Sequence, residues 1–108
     1  MDYYDRIKQL TVLGEFNESE GYEVDMGAIA YDGEIGKFVF ITASGCSCWD
    51  GEYCEKRYDK LSLLLVEEGR SDHPWNPSGV TFERMAEEAI VEAIELGLIT
   101  EDGTVREV

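Results

Sequence analysis

Apolar and polar residues repeat along this chain with two periods, one typical of helices and one typical of strands. The helical period is clearest in a stripe of seven apolar residues: Phe82, Met85, Ala86, Ala89, Ile90, Ala93 and Ile94. The stripe predicts a helix over about 82–96. Gly97 is expected to end it, because glycine readily adopts the left-handed conformation found after a helix C-terminus.

Two shorter apolar stripes predict two further helices. Tyr3, Ile7 and Leu10 share one helix face, which predicts a helix over about 2–13 that begins at the cap Asp2 and ends before Gly14. In YDKLSLLLVEEG the spacing of the leucines predicts a helix over about 59–68. A strand is the alternative for LSLLLV, since short apolar runs fit both structures.

The strand period occupies the middle of the chain. In YEVDMGAIAY the apolar residues alternate with polar ones, which predicts a half-buried strand. KFVFITA has apolar residues at both sets of alternate positions, which predicts a central strand covered on both faces. The turn-forming DGEIG joins the two, so an antiparallel hairpin is expected over about 22–43. Polar and turn-rich segments at 14–23, 44–58 and 71–79 predict loops.

The predicted order of elements is α-β-β-α-α, to which the tail LITEDGTVREV could add a strand. Grouped strands and helices indicate an α+β fold, with a small antiparallel sheet packed by two or three helices. A chain of 108 residues has room for one core, so a single compact domain over 1–108 is expected.

The charge of the chain restricts its partners. There are 24 acidic and 9 basic residues, which give a formal net charge of −15. Direct binding to nucleic acid or to an anionic membrane is disfavoured, because both ligands require positive protein surface. A basic protein is the complementary partner. The one cluster of bases, Lys56, Arg57 and Lys60, is expected to neutralise the neighbouring Glu55 and Asp59.

The acidic residues are concentrated in two segments without lysine or arginine, 9–36 and 85–105. One interpretation is an ordinary solvated acidic face. The other is a surface that imitates the phosphates of a nucleic acid and binds the basic groove of a nucleic-acid-binding protein. No calcium-loop motif is present. The candidate partner-binding residues are Glu15, Glu18, Glu20, Glu23, Asp25, Glu83, Glu87, Glu88, Glu92 and Glu95.

The segment SGCSCWDGEYCEKRYD contains all three cysteines of the chain. One interpretation is a loop in which small buried thiols pack beneath Trp49. The alternative is a zinc site formed by Cys46, Cys48, Cys54 and His73, the only histidine, although C-x-C is shorter than the usual zinc spacing. A catalytic thiol is disfavoured, because acidic surroundings raise its pKa and no partner that would orient His73 is identifiable.

The succession of a strand pair, ITASGCSCWDG and YDKLSLLL resembles small phage and bacterial proteins to which no activity is assigned, over roughly residues 22–66. The resemblance implies a phage or bacterial origin and supplies no catalytic residues. Small acidic phage proteins that are not enzymes are often inhibitors of host defence, including nucleic-acid mimics, so the resemblance favours the mimic interpretation.

The sequence therefore predicts a non-enzymatic interaction protein without a cofactor, in which an acidic surface inhibits a basic host protein such as a nuclease or another nucleic-acid-binding defence factor. A zinc-binding structural adaptor that uses the cysteine cluster is the alternative. The start MDYYDRIKQL lacks a signal-peptide pattern, and no apolar run is long enough to span a membrane, so a cytoplasmic location in a bacterial cell is expected.

Overall fold

The computed structural model of the protein describes residues 2–19, 21, 23–45, 49–69 and 79–99. Three helices and four strands occur in these residues. They follow the order α1 (Tyr3–Lys8), β1 (Thr11–Asn17), β2 (Val24–Asp32), β3 (Lys37–Gly45), β4 (Cys54–Tyr58), α2 (Leu61–Gly69) and α3 (Gly79–Glu95). The strands form one antiparallel sheet in the order β1-β2-β3-β4. The predicted α+β fold is therefore confirmed.

The predicted hairpin over about 22–43 corresponds to β2 and β3, which pair from Val24 opposite Gly45 to Asp32 opposite Lys37. The turn between them is closed by a hydrogen bond from the Gly36 amide to the Asp32 carbonyl, at 2.8 Å. Gly36 has a φ of 65°, a conformation that favours glycine.

The sheet is covered on both faces, and each face has its own apolar cluster. On one face α2 and α3 pack against the sheet around Phe38, Leu64 and Met85. On the other face α1 packs with Trp49 and Tyr53 against Val39 and Ile41. Alternate residues of β3 belong to opposite clusters, which confirms the prediction of a central strand covered on both faces.

The predicted first helix is too long. It begins at the Asp2 cap as expected, with reciprocal Asp2–Asp5 hydrogen bonds, but α1 ends at Lys8. Thr11–Asn17 form the edge strand β1 instead, where a loop was expected beyond Gly14. Gly14 does not end a helix. A Cβ at this position would lie 2.5 Å from the Met85 carbonyl oxygen, so the glycine allows α3 to pack directly on β1.

Two further boundaries differ from the prediction. Cys54–Tyr58 form the edge strand β4, where a loop was predicted. The predicted helix over 82–96 begins earlier, at Gly79. Its end is as expected, because the Gly97 and Leu98 amides donate to the Ile94 and Ala93 carbonyls in the pattern that closes a helix before glycine.

The helix predicted over about 59–68 is confirmed as α2. The tail from residue 100 onward lies outside the described residues, so its predicted strand stays a prediction. No helix in the described part of the chain combines the length and the hydropathy needed to cross a membrane.

Candidate functional site

The exposed side of α3 carries a row of carboxylates. Met85, Ala89 and Ala93 lie at i, i+4 and i+8 and are buried against the sheet, so the opposite side of the helix faces solvent. Glu83, Glu87, Glu88 and Glu95 are exposed there, and Glu92 is half-buried. These five glutamates are called the α3 carboxylate face below. The sequence prediction placed all five on one helix, and the structure confirms that placement.

Charge is dense on this face. Twelve residues separate Glu83 from Glu95, which corresponds to about 18 Å along the helix axis. Five carboxylates over that length give on average about one negative charge per 4.5 Å of helix axis, compared with about one per 3.4 Å along one strand of DNA. Arg84 is the only base on the helix, and no salt bridge involves any of the five glutamates within residues 2–19, 21, 23–45, 49–69 and 79–99.

Several basic residues pair with acids around β3 and β4, at the other end of the sheet. Arg57 pairs with Glu55 at 2.7 Å, which the sequence predicted, whereas Asp59 pairs with Lys37 of β3. Lys56 approaches the buried Glu68 of α2 at 3.4 Å. Every salt bridge in the described residues involves β3, β4 or α1, and none involves the α3 carboxylate face.

A buried ion-pair cluster ties α1 to the sheet. The Arg6 guanidinium donates to the Asp32 carboxylate at 2.8 Å and to Glu55 at 2.5 Å and 3.2 Å. These hydrogen bonds lower the pKa of both carboxyl groups, and Arg57 lowers that of Glu55 further. The shallow cleft beside the cluster is lined by Gln9, Glu34 and Tyr53 among others. Because its charges are mutually paired, we interpret the cluster as a structural feature that holds α1 on the sheet.

The other predicted acidic segment, 9–36, includes β1 and its connection to β2. Glu18, Glu23 and Asp25 meet where β1 and β2 connect. The Oδ1 atom of Asp25 is buried without a hydrogen-bond partner among the described residues, and burial followed by the charges of Glu18 and Glu23 raises the pKa of this carboxyl. Glu15 is exposed beside Tyr3 of α1. Glu20 lies outside the described residues.

The structure describes only part of the predicted cysteine site. Cys54 is an exposed thiol on β4, opposite Thr42 of β3, whereas Cys46, Cys48 and His73 lie outside the described residues. No three histidine, cysteine, aspartate or glutamate side chains are placed to hold a metal ion in the described part of the chain. Trp49 packs against Gly45 and donates from Nε1 to the Glu52 carbonyl at 3.0 Å.

Glu68 of α2 is a buried acid that was absent from the predicted site residues. Glu68 follows Leu61, Leu64 and Leu65 at i+7, so it lies on the apolar stripe of α2. In the structure it is buried and accepts a hydrogen bond from the Tyr58 hydroxyl. The signal was therefore a charged residue at a core position of a predicted helix.

Comparisons of the chain with protein-family models, with curated proteins and with solved structures found no significant match.

Proposed function

We propose that this protein acts by binding, with the α3 carboxylate face as the surface that contacts a basic, nucleic-acid-binding protein. The observation that carries the proposal is the row of five glutamates without a salt bridge in the described residues. Arginines that bind phosphates also pair bidentately with carboxylates, so a phosphate-binding groove can accept such a row.

The distribution of bases supports this proposal. A chain selected only for stability would alternate glutamate with lysine along an exposed helix, because like charges at i and i+4 cost a few tenths of a kcal/mol per pair. Glu83 and Glu87 form one such pair, and Glu88 and Glu92 form another. Meanwhile the bases neutralise acids around β4. An unneutralised face on a rigid helix is useful when a partner supplies the positive charge.

The resemblance to small phage and bacterial proteins suggests the setting. A nuclease or another nucleic-acid-binding defence factor of a bacterial cell presents a basic groove that is positively charged because its substrate is polyanionic. An acidic protein of this size that fills the groove would inhibit the factor by excluding nucleic acid. We therefore propose inhibition by occupation of the nucleic-acid site, in the bacterial cytoplasm.

A pair of variants with identical net charge tests the proposal. The first replaces Glu83, Glu87, Glu88 and Glu95 with glutamine. The second, the control, neutralises four exposed acids elsewhere, as Glu34→Gln, Asp50→Asn, Glu52→Gln and Glu67→Gln. Each variant loses four negative charges from −15, which leaves −11. Both are immobilised and exposed to the DNA-cellulose-binding fraction of a bacterial lysate.

We expect the wild type and the control to retain the same proteins and the α3 variant to lose them. Proteins retained by net charge alone would be lost equally from both variants. Equal retention by all three chains, or equal loss from both variants, would contradict a role for the α3 carboxylate face. Circular dichroism of each variant confirms that the fold is intact.

A further inference from the structure

A cleft of about 430 Å³ runs along the edge strand β1. We call it the aromatic cleft, because Tyr3 and Tyr4 of α1 and Phe16 of β1 line it. Two charged residues also line it: Glu15 of β1 and Arg84 of α3. The cleft therefore combines aromatic rings with one carboxylate and one guanidinium, and it borders the helix that carries the α3 carboxylate face.

Tyr3 contributes a mostly buried phenol to the lining of this cleft. Its side chain is only 6% exposed, and its hydroxyl makes no hydrogen bond to any residue that the structure describes. Burial, followed by the charge of Glu15, raises the pKa of the phenol to about 12. The hydroxyl therefore stays protonated at neutral pH and can exchange a hydrogen bond with a ligand.

The carboxylate and the second ring are accessible. Glu15 is exposed and forms no salt bridge within the described residues. Tyr4 is 54% exposed and is held in place by edge-to-face contacts with Tyr3 and Trp49, at ring-centroid distances of 5.6 Å and 5.9 Å. An aromatic ring fixed beside an unpaired carboxylate is the arrangement that recognises an organic cation.

We infer that the aromatic cleft binds an arginine side chain presented by the basic partner, an inference that rests on the proposed function. A guanidinium is planar and weakly hydrated, so it stacks on a tyrosine ring while it donates paired hydrogen bonds to a carboxylate. Glu15 supplies the carboxylate, and the Tyr3 hydroxyl accepts a further hydrogen bond. The cleft then anchors one arginine beside the row of carboxylates on α3.

The charge of Arg84 distinguishes a cationic ligand from an anionic one. Arg84 lines the cleft, so its positive charge opposes a cationic ligand, although Glu88 at i+4 on the same helix offsets part of that charge. Removal of this charge should strengthen the binding of a cation. If the ligand were an anion, removal of the same charge would abolish its binding.

The test uses N-acetyl-arginine amide as the probe and the full chain labelled with ¹⁵N. We expect the probe to shift amide signals of the cleft residues, and we expect N-acetyl-lysine amide to bind more weakly. Glu15→Gln and Tyr4→Leu should each weaken binding about fivefold, the size of a moderate cation–π or ion-pair contribution. Arg84→Gln should strengthen it. Glu67→Gln on α2, with the same charge change as Glu15→Gln, should leave it unchanged.

Three results would overturn the inference: no probe-induced shift at the cleft, unchanged affinity in Glu15→Gln, or a cleft that binds acetate and loses it in Arg84→Gln. The probe needs no partner, so its result is independent of the partner-capture experiment. Loss of the partner from the α3 variant with retained probe binding would support both proposals. Probe binding with no retained partner in the wild type would contradict the proposed function alone.

Discussion

Among the residues that the structure describes, buried carboxylates have counter-charges or donors, with one exception. Arg6 donates to Asp32 and Glu55, and Tyr58 donates to Glu68. Asp25 differs, because its buried Oδ1 atom has no hydrogen-bond partner in the described part of the chain and the neighbouring Glu18 and Glu23 repel its charge. A buried polar atom without a hydrogen bond costs free energy of folding. Asp25 is therefore the residue at which neutralisation should help most.

Asp25→Asn is expected to stabilise the fold by about 1 kcal/mol at pH 7, because it removes an uncompensated charge beside two glutamates. The native pKa of Asp25 is raised, so the wild type recovers stability as the pH falls through that pKa toward the ordinary value of 3.8. The advantage of the variant should therefore shrink by pH 3.5. Urea unfolding at both pH values measures it. A variant less stable than the wild type at pH 7 would contradict this account of Asp25.

Arg6→Met is expected to destabilise the fold by about 3 kcal/mol at pH 7, because it leaves Asp32 and Glu55 buried without their cation. Both carboxyl groups have a native pKa below their ordinary values of 3.8 and 4.5. Their contribution is present above those values and is lost as the pH falls through the native pKa values. The difference from wild type should therefore narrow below about pH 4.

Lys8→Met is the matched control, since Lys8 is an exposed base on the same helix. Chemical denaturation of both variants should show that Lys8→Met leaves the free energy of unfolding nearly unchanged. Equal destabilisation by the two substitutions would mean that the ion-pair cluster does not hold α1 on the sheet.

Some of these buried charges and ion pairs were predictable from the sequence and others were not. Glu68 was readable from its place on an apolar stripe. The partners of Arg6 were not, because 26 and 49 residues separate it from Asp32 and Glu55. Only the sheet brings them together. The pairing of Glu55 with Arg57 was predictable, because the two residues are only two positions apart in the sequence.

At the scale of elements, a strong periodicity of apolar residues predicted the helices and strands correctly. The α2 and α3 helices and the β2–β3 hairpin were predicted because their apolar spacing extends over whole elements. The edge strands were missed for different reasons. The predicted first helix extended into the start of β1. β4 was missed because it is a short charged edge strand that pairs with β3 alone. Gly14 was interpreted as a helix stop, whereas its role is the contact of β1 with α3.

Gly14→Ala is expected to destabilise the fold by about 1–3 kcal/mol, because the added Cβ would overlap the Met85 carbonyl and push α3 from the sheet. Gly33→Ala is the control: its Cβ would meet only Tyr31, at 4.0 Å. Thermal unfolding of both variants measures the difference. Similar melting temperatures for the two would show that α3 does not rest on β1 as closely as described.

At the scale of the molecule, the salt bridges of the described residues are separate from the α3 carboxylate face. The bases pair with acids around β4, and the α3 carboxylate face lies on the helix that packs on β1. The sequence predicted the acidic helix but not the separation, because the distribution of bases around the sheet depends on strand order. Neutralisation of the face should therefore raise stability while it removes binding.

The variant with glutamine at Glu83, Glu87, Glu88 and Glu95 is expected to be about 0.5 kcal/mol more stable than the wild type at low salt, since it relieves like-charge pairs along α3. The gain should disappear at about 1 M salt, where the screening length falls to about 3 Å. Urea unfolding at both salt concentrations checks this. A loss of stability at low salt would mean that these carboxylates have stabilising partners.

Displacement of nucleic acid tests the central proposal most directly. A protein retained by the wild-type chain is purified and bound to a fluorescent DNA duplex, and its anisotropy is followed as each chain is added. The account predicts that the wild type and the control variant at Glu34, Asp50, Glu52 and Glu67 release the duplex, whereas the α3 variant does not. Stable complexes that contain both the duplex and the wild-type chain would contradict it.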